Sequence, residues 1–290
     1  MYKIVILGCE NSHANSFLDF IIKDKIFTDI EVLGVYSESE EAMQKLSEEY
    51  GVYAMKSYDE FVGQVDGVIN TARHGDNHYK YCKPYIESGV PMFIDKPITC
   101  TEEEAVTFMK ECKKNKVKVC GGSILVHAPL IQKFKKIVKN KTMGEIINAS
   151  FKAPLQINSP HGGIHFYIQH VISMMTEVFG YYPNEITALR NGVSVTATFN
   201  YDTCNVVAYA SGNLKRWDYE AMLATEKKTV FKAVNVKGAS LKEFKSFYSL
   251  LKGGRQKISY EDFIAPVFII NAIVRSLETG TTQKLNKIEI

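Results

Sequence analysis

The sequence predicts an α/β chain in two parts: a doubly wound parallel sheet in the N-terminal part, then an α+β domain with a mostly antiparallel sheet. Three observations carry this. Residues 1–123 alternate short apolar runs with amphipathic stretches, the rhythm of parallel strands covered by helices on both faces. After Gly122, β-branched and aromatic residues alternate in successive short segments separated by turn signals such as Asn191-Gly192. The length, 290 residues, exceeds what one ordinary core needs. The expected domains are 1–123 and 124–290.

In order, strands are expected at Lys3–Leu7, Glu31–Tyr36, Gly67–Thr71, Pro91–Ile94 and Lys118–Gly121, with helices at Ser16–Ile26, Glu38–Tyr50, His78–Ser88 and Thr101–Asn115 between them. Hydroxyls and carboxylates at Ser37–Glu41 and Thr99–Glu104 mark helix starts, where orphan N–H groups and the positive dipole end favour them. The second part is expected to hold helices at Pro129–Lys139 and Gly163–Phe179. Its strands are Glu145–Lys152, Glu185–Arg190, Val193–Asn200, Asn205–Ser211, Tyr219–Ala224 and Thr229–Val234, and a last helix runs from Tyr260 to Thr279 with Gly280 as its stop.

Composition excludes several classes. Charged residues balance to +3 with no concentrated basic face, so nucleic acid is not an expected partner. No run is long and apolar enough to span a bilayer, and the first residues lead straight into a strand without a signal-peptide pattern, so no membrane partner is expected either. Six scattered cysteines without a C-x-x-C pair fit reduced thiols and a cytoplasmic location. His161, His165 and His170 lie near one another, but no Asp or Glu stands among them, and no metal site is expected.

The turn Gly8-Cys9-Glu10-Asn11-Ser12-His13 stands where a first strand passes into a first helix, the place where a dinucleotide fold binds its pyrophosphate. Of G-x-G-x-x-G only Gly8 remains; Glu10 and His13 occupy the other two glycine positions. Asn11 and Ser12 keep hydrogen-bonding capacity there, whereas a Glu10 carboxylate facing the turn would repel a pyrophosphate. Ser37 follows the second strand, at the place where an acid selects NAD; no Arg follows within the turn, so NAD or NADP stays open.

The stretch Asp66–Thr71, then His78, then Glu87–Pro97 with Asp95-Lys96-Pro97 at a strand end, resembles the Gfo/Idh/MocA family, named for glucose-fructose oxidoreductase and inositol dehydrogenase. The resemblance implies a Rossmann domain binding NAD or NADP, with Gly8, Asn11, Ser12, His13, Ser37, Thr71, His78, Asp95, Lys96 and Pro97 on the cofactor side. Lys96 is the leading catalytic candidate: an ammonium at the C-terminal end of a parallel strand can orient a substrate hydroxyl and stabilise charge developing on oxygen. Pro97 fixes the turn that aims it, and Asp95 is either its electrostatic partner or a strand-end acceptor.

The family's second catalytic element is a glycine-led helix carrying an Asp and, four residues later, a His. Here Gly162–Gly180 aligns the His with His170 and puts Phe166 at the Asp position. His170 is the expected proton carrier. His165, on one helix face with Gln169, is the candidate substitute for the missing acid. His127 and Tyr167 complete the expected substrate contacts, and Arg73, His74 and Asp76 add polar groups near the nicotinamide end.

The resemblance implies hydride transfer between NAD(P) and a secondary alcohol or ketone of a sugar, inositol or related polyol, in a homodimer or homotetramer. Two alternatives stand beside it: a catalytically inactive nucleotide- or ligand-binding protein on the same fold, and a reductase of a non-carbohydrate substrate.

Overall fold

A computed structural model describes residues 1–290. Its chain forms two compact units, Met1–Gly122 with Ser240–Phe263 and Ile290, and Ser123–Ala239 with Ile264–Glu289. The segment 240–263, which the sequence rhythm groups with the second domain, is therefore part of the first unit.

The first unit is built on β1 (Tyr2–Leu7), β2 (Ile30–Tyr36), β3 (Gly67–Asn70), β4 (Met92–Asp95) and β5 (Val119–Gly122), all parallel in the order β2-β1-β3-β4-β5. The helices α1 (Ser12–Leu18), α2 (Glu40–Tyr50), α3 (Asp76–Cys82) and α4 (Glu102–Lys114) connect them. The order reverses between β1 and β3, the switch point where open α/β sheets bind ligands beyond the strands' C-terminal ends. Helix starts follow the expected cap chemistry: Ser39 Oγ accepts from Ala42 N, and Thr101 Oγ1 from Glu104 N.

Two helices differ from expectation. The first starts at Ser12 rather than Ser16, because the Asn11 side chain accepts from His13 N and caps it early. It then widens into a π-turn over Asp19–Lys23. The third ends at Cys82 and tightens into a 3₁₀ segment, Lys83–Ser88, because Pro84 has no N–H for the α-helical ladder.

Helix α7 (Ala239–Leu251) completes the first unit. Leu241, Phe244, Phe247 and Leu251 share one face, and Phe244 meets Phe17 and Phe27 at ring-centroid distances of 5.1 and 4.7 Å. A phenylalanine buried in this way contributes about 1.5–3 kcal/mol, enough to hold a late segment of chain on an early sheet.

The second unit has a seven-stranded sheet in the order β11-β10-β6-β9-β8-β7-β12: β6 (Ile146–Pro154), β7 (Glu185–Asn191), β8 (Ser194–Asn200), β9 (Asn205–Ser211), β10 (Glu220–Thr225), β11 (Thr229–Ala233) and β12 (Gln283–Lys284). Every pairing is antiparallel except β6 with β9. The inward residues of β6 to β9, among them Phe151, Ala188, Ala197 and Val206, share one core with α5 (Pro129–Asn140), α6 (His165–Phe179) and the Ile264–Thr279 part of α8 (Tyr260–Thr279). No helix is long and apolar enough to cross a membrane.

Candidate functional site

The first strand delivers Gly8 into a turn that only glycine fits: its φ is +67°, and a Cβ there would lie 2.2 Å from Ala72 N. This close approach joins the β1–α1 loop to the loop after β3. Thr71 Oγ1 donates to Gly8 O at 3.0 Å, and Asn70 Nδ2 donates to His78 O at 3.1 Å, which ties the same loop to α3. His78 is fully buried with Nδ1 2.7 Å from Pro97 O, so Nδ1 carries the proton and donates. Burial lowers its pKa, against Asp95 and the two carbonyls. His78 is thereby a neutral brace for the turn after β4, which includes a cis Lys96–Pro97 bond.

The two side chains in place of glycines are both engaged by protein groups. Glu10 Oε2 accepts from Ser37 Oγ at 2.8 Å, and its Oε1 accepts from Arg73 N at 3.0 Å. His13 Nδ1 lies 3.0 Å from Asp95 Oδ2 as an ion pair. Asn11 Nδ2 donates to the same carboxylate at 2.9 Å, and Lys96 N donates to Asp95 Oδ1 at 2.7 Å. Asp95 accepts from the Lys96 backbone N–H, and the charges that act on its carboxylate are His13 first and Lys96 second. Ser12 is exposed, its hydroxyl 3.5 Å from Asn11 Oδ1.

Around Asp95 gathers a buried charge cluster. Burial alone would raise this carboxyl, but His13 and Lys96 outweigh it and bring it down to about 2. Burial would likewise lower His13, yet Asp95 and Glu243 carry it up to about 9. Glu243 comes from α7, is 1% exposed, and neither of its oxygens has a hydrogen-bond partner. Burial pushes it up to about 8, against the opposing pull of His13 and Lys96. Lys96 itself is 6% exposed. At neutral pH His13 is thus a cation beside one firmly ionised carboxylate, and Glu243 is largely protonated.

In the second unit His170 is buried on α6, and its Nδ1 lies 2.8 Å from Ser123 Oγ. Ser123, which the sequence reading did not single out, is the group the structure places on His170 Nδ1. Ser123 is fixed in turn by accepting from Leu125 N, the start of a 3₁₀ turn, Ile124–His127, that ends on the expected His127. Tyr167 and Tyr219 rings meet His170 edge-on at 5.3 and 5.7 Å. His165 Nδ1 is 3.2 Å from Gly162 O, while Phe166 is buried. Ser123→Ala is expected to lower kcat about tenfold, with KM little changed and the fold retained. Steady-state kinetics decide it, and an unchanged kcat would remove the serine from the site.

One cluster has metal-ligating atoms within 4.8 Å of one another: His74, Asp76 and Cys100, where the loops after β3 and β4 meet. Asp76 N donates to His74 Nδ1 at 3.3 Å, and burial with the Asp76 carboxylate pushes the Cys100 thiol up to about 12, leaving its proton on sulfur.

Sequence reading missed Glu243 and Ser123. The signal for the first was a carboxylate on the apolar Leu241/Phe244/Phe247 face of an unassigned helix. A lone serine after two glycines gives no such signal.

Residues 2–123 match the family model described as Gfo/Idh/MocA, an oxidoreductase family with an NAD-binding Rossmann fold. The match covers the N-terminal domain and gives it the NAD-binding Rossmann fold of that oxidoreductase family. No curated protein matches the chain. Among solved structures, myo-inositol 2-dehydrogenase from Lactobacillus plantarum is 14% identical with a TM-score of 0.84, over 98% of this chain and 99% of that one. Apo scyllo-inositol dehydrogenase from Lactobacillus casei is 15% identical, TM-score 0.83, over 98% of each chain. GenD2 from gentamicin A biosynthesis, solved with NAD, is 11% identical, TM-score 0.83, over 98% of this chain and 96% of that one. At these identities the likeness is one of fold.

The residues present fit the cofactor. The glycine at the tight turn is kept, and both substituted side chains are tied back, Glu10 to Ser37 and His13 to Asp95. A cationic imidazole at position 13 is compatible with a pyrophosphate where a free carboxylate would not be.

Proposed function

We propose that the protein is an NAD-dependent dehydrogenase that interconverts a secondary alcohol and a ketone on a sugar, inositol or related polyol. The observation that carries this reading is Lys96, a buried ammonium at the C-terminal end of β4 whose neighbouring carboxylate is engaged by Asn11, His13 and the Lys96 backbone N–H. Asp95 holds the strand end, which places the Lys96 ammonium where a substrate oxygen can be oriented. The bound nicotinamide supplies the hydride acceptor for oxidation and the donor for reduction.

In the oxidation direction Lys96 Nζ donates a hydrogen bond to the substrate hydroxyl and favours its deprotonation. By resemblance to the family, His170 of the second unit is the proton carrier, with Nδ1 2.8 Å from Ser123 Oγ. The carbon-bound hydrogen would pass with its electron pair to a bound nicotinamide, so that the substrate C–O bond becomes a carbonyl. His127 and Tyr167 line the substrate side in this reading. Leu189, Tyr209 and Phe231 stay exposed on the outward face of the second sheet and support a homodimer or homotetramer, which sedimentation velocity reads directly.

Calorimetric titration with NADH and NADPH, followed by a polyol-oxidation screen, tests the reading. Micromolar-order binding together with turnover on a polyol is the expected result. Binding without polyol turnover would move the substrate to a non-carbohydrate carbonyl. Absence of binding would put a non-catalytic ligand-binding role in its place.

A further inference from the structure

We propose that Glu10, standing where the second glycine of the phosphate turn would be, is the carboxylate that receives the adenosine ribose hydroxyls and selects NAD against NADP. The inference rests on the dinucleotide site of the proposed function and assigns that site's specificity to one residue.

The end of β2 is where a doubly wound fold reads the adenosine ribose, normally with an acid carried by that strand. Here the strand ends in Tyr36 and the following residue is Ser37, which has no charge. The structure brings a carboxylate to the same place from a different loop: Glu10 Oε2 lies 2.8 Å from Ser37 Oγ. Its other oxygen is held by Arg73 N at 3.0 Å, so the carboxylate is pinned between the loops after β2 and β3.

Counting donors and acceptors decides what this arrangement accepts. Ser37 is 3% exposed, its O–H is spent on Glu10, and its oxygen already accepts from Ser39 N at 3.1 Å. It has no proton left to offer a 2′-phosphate. Each Glu10 oxygen accepts one hydrogen bond and keeps a lone pair, so the group receives further O–H donors and offers none. A ribose diol supplies such donors. A 2′-phosphate supplies only negative charge beside a carboxylate. Lys80, a cation on α3, is paired with Glu38 at 2.9 Å. The carboxylate that a sequence reading takes as an obstacle to the pyrophosphate is, in this geometry, turned onto the ribose end.

The test is calorimetric titration of the wild type and Glu10→Gln with NADH and with NADPH. A second measurement on the wild type alone covers a variant that fails to fold: displacement of NADH by AMP and by AMP carrying a 2′-phosphate. The wild type is expected to bind NADH at least about tenfold more tightly than NADPH. Glu10→Gln should narrow that ratio by about tenfold, mainly by improving NADPH, and AMP should displace where its 2′-phosphate form does not. An unchanged ratio in Glu10→Gln overturns the inference and leaves the dinucleotide reading standing. So does a wild type that prefers NADPH, which would make the Arg73 guanidinium the group that reads a 2′-phosphate. A wild type that binds neither dinucleotide ends both.

Discussion

Replacing Lys96 by alanine is expected to lower turnover by about 10²–10⁴-fold while NADH affinity changes by no more than a few-fold and the protein stays folded. Lys96 is 6% exposed and follows a carboxylate already engaged by Asn11, His13 and backbone. Its loss therefore removes the group proposed to touch the reacting oxygen without dismantling the strand end. Arginine should not rescue it, because a planar guanidinium cannot place a compact charge at the same point. Steady-state kinetics with circular dichroism and calorimetry separate these effects. A Lys96→Ala enzyme whose kcat/KM stays within about threefold of wild type would be incompatible with a transition-state role.

Asp95→Asn should have the largest effect on stability, about 3–5 kcal/mol at neutral pH. It leaves the His13 and Lys96 cations beside a neutral amide in a buried place. The pH dependence follows from the shifts. Asp95 is depressed from 3.8 to about 2, so its contribution is complete above about 4 and disappears as the pH falls through 2. His13 is raised from 6.5 to about 9, so its contribution is complete below about 6.5 and is lost as the pH rises through 9. Glu243, raised from 4.5 to about 8, adds a loss of stability as the pH climbs from 4.5 to 8, because the folded state holds a proton that the unfolded chain releases. Urea unfolding at pH 2, 7 and 9 reads all three. The Asp95→Asn deficit should shrink at pH 2, and a deficit below about 1 kcal/mol at pH 7 would put the ion pair in the class of weak surface pairs.

The sheet and helix content was legible because it is set by local periodicity. Apart from the two-residue β12, which no pattern announced, the strands of both sheets and helices such as α5, α6 and α8 fall within a few residues of their expected places, since alternation and 3.6-residue spacing are properties of neighbouring residues. Asp95-Lys96-Pro97 and its distance from His78 were legible for the same reason. Glu10 and His13 were visible as departures from the glycine pattern, but not where their side chains turn. That depends on Ser37, Arg73 and Asp95, which lie 27, 63 and 82 positions away from them.

The sequence by itself determined a doubly wound sheet, a second mostly antiparallel sheet, and a lysine at the end of a parallel strand, because each follows from short-range pattern. Only the tertiary structure decided that α7 returns to the first sheet, bringing Glu243 to the His13–Asp95 pair, and that Ser123 meets His170. Such pairings are selected by burying apolar area and satisfying polar groups between segments far apart in the chain. Phe244 on Phe17 and Phe27 is one such burial, and no local window of the sequence contains both sides of it.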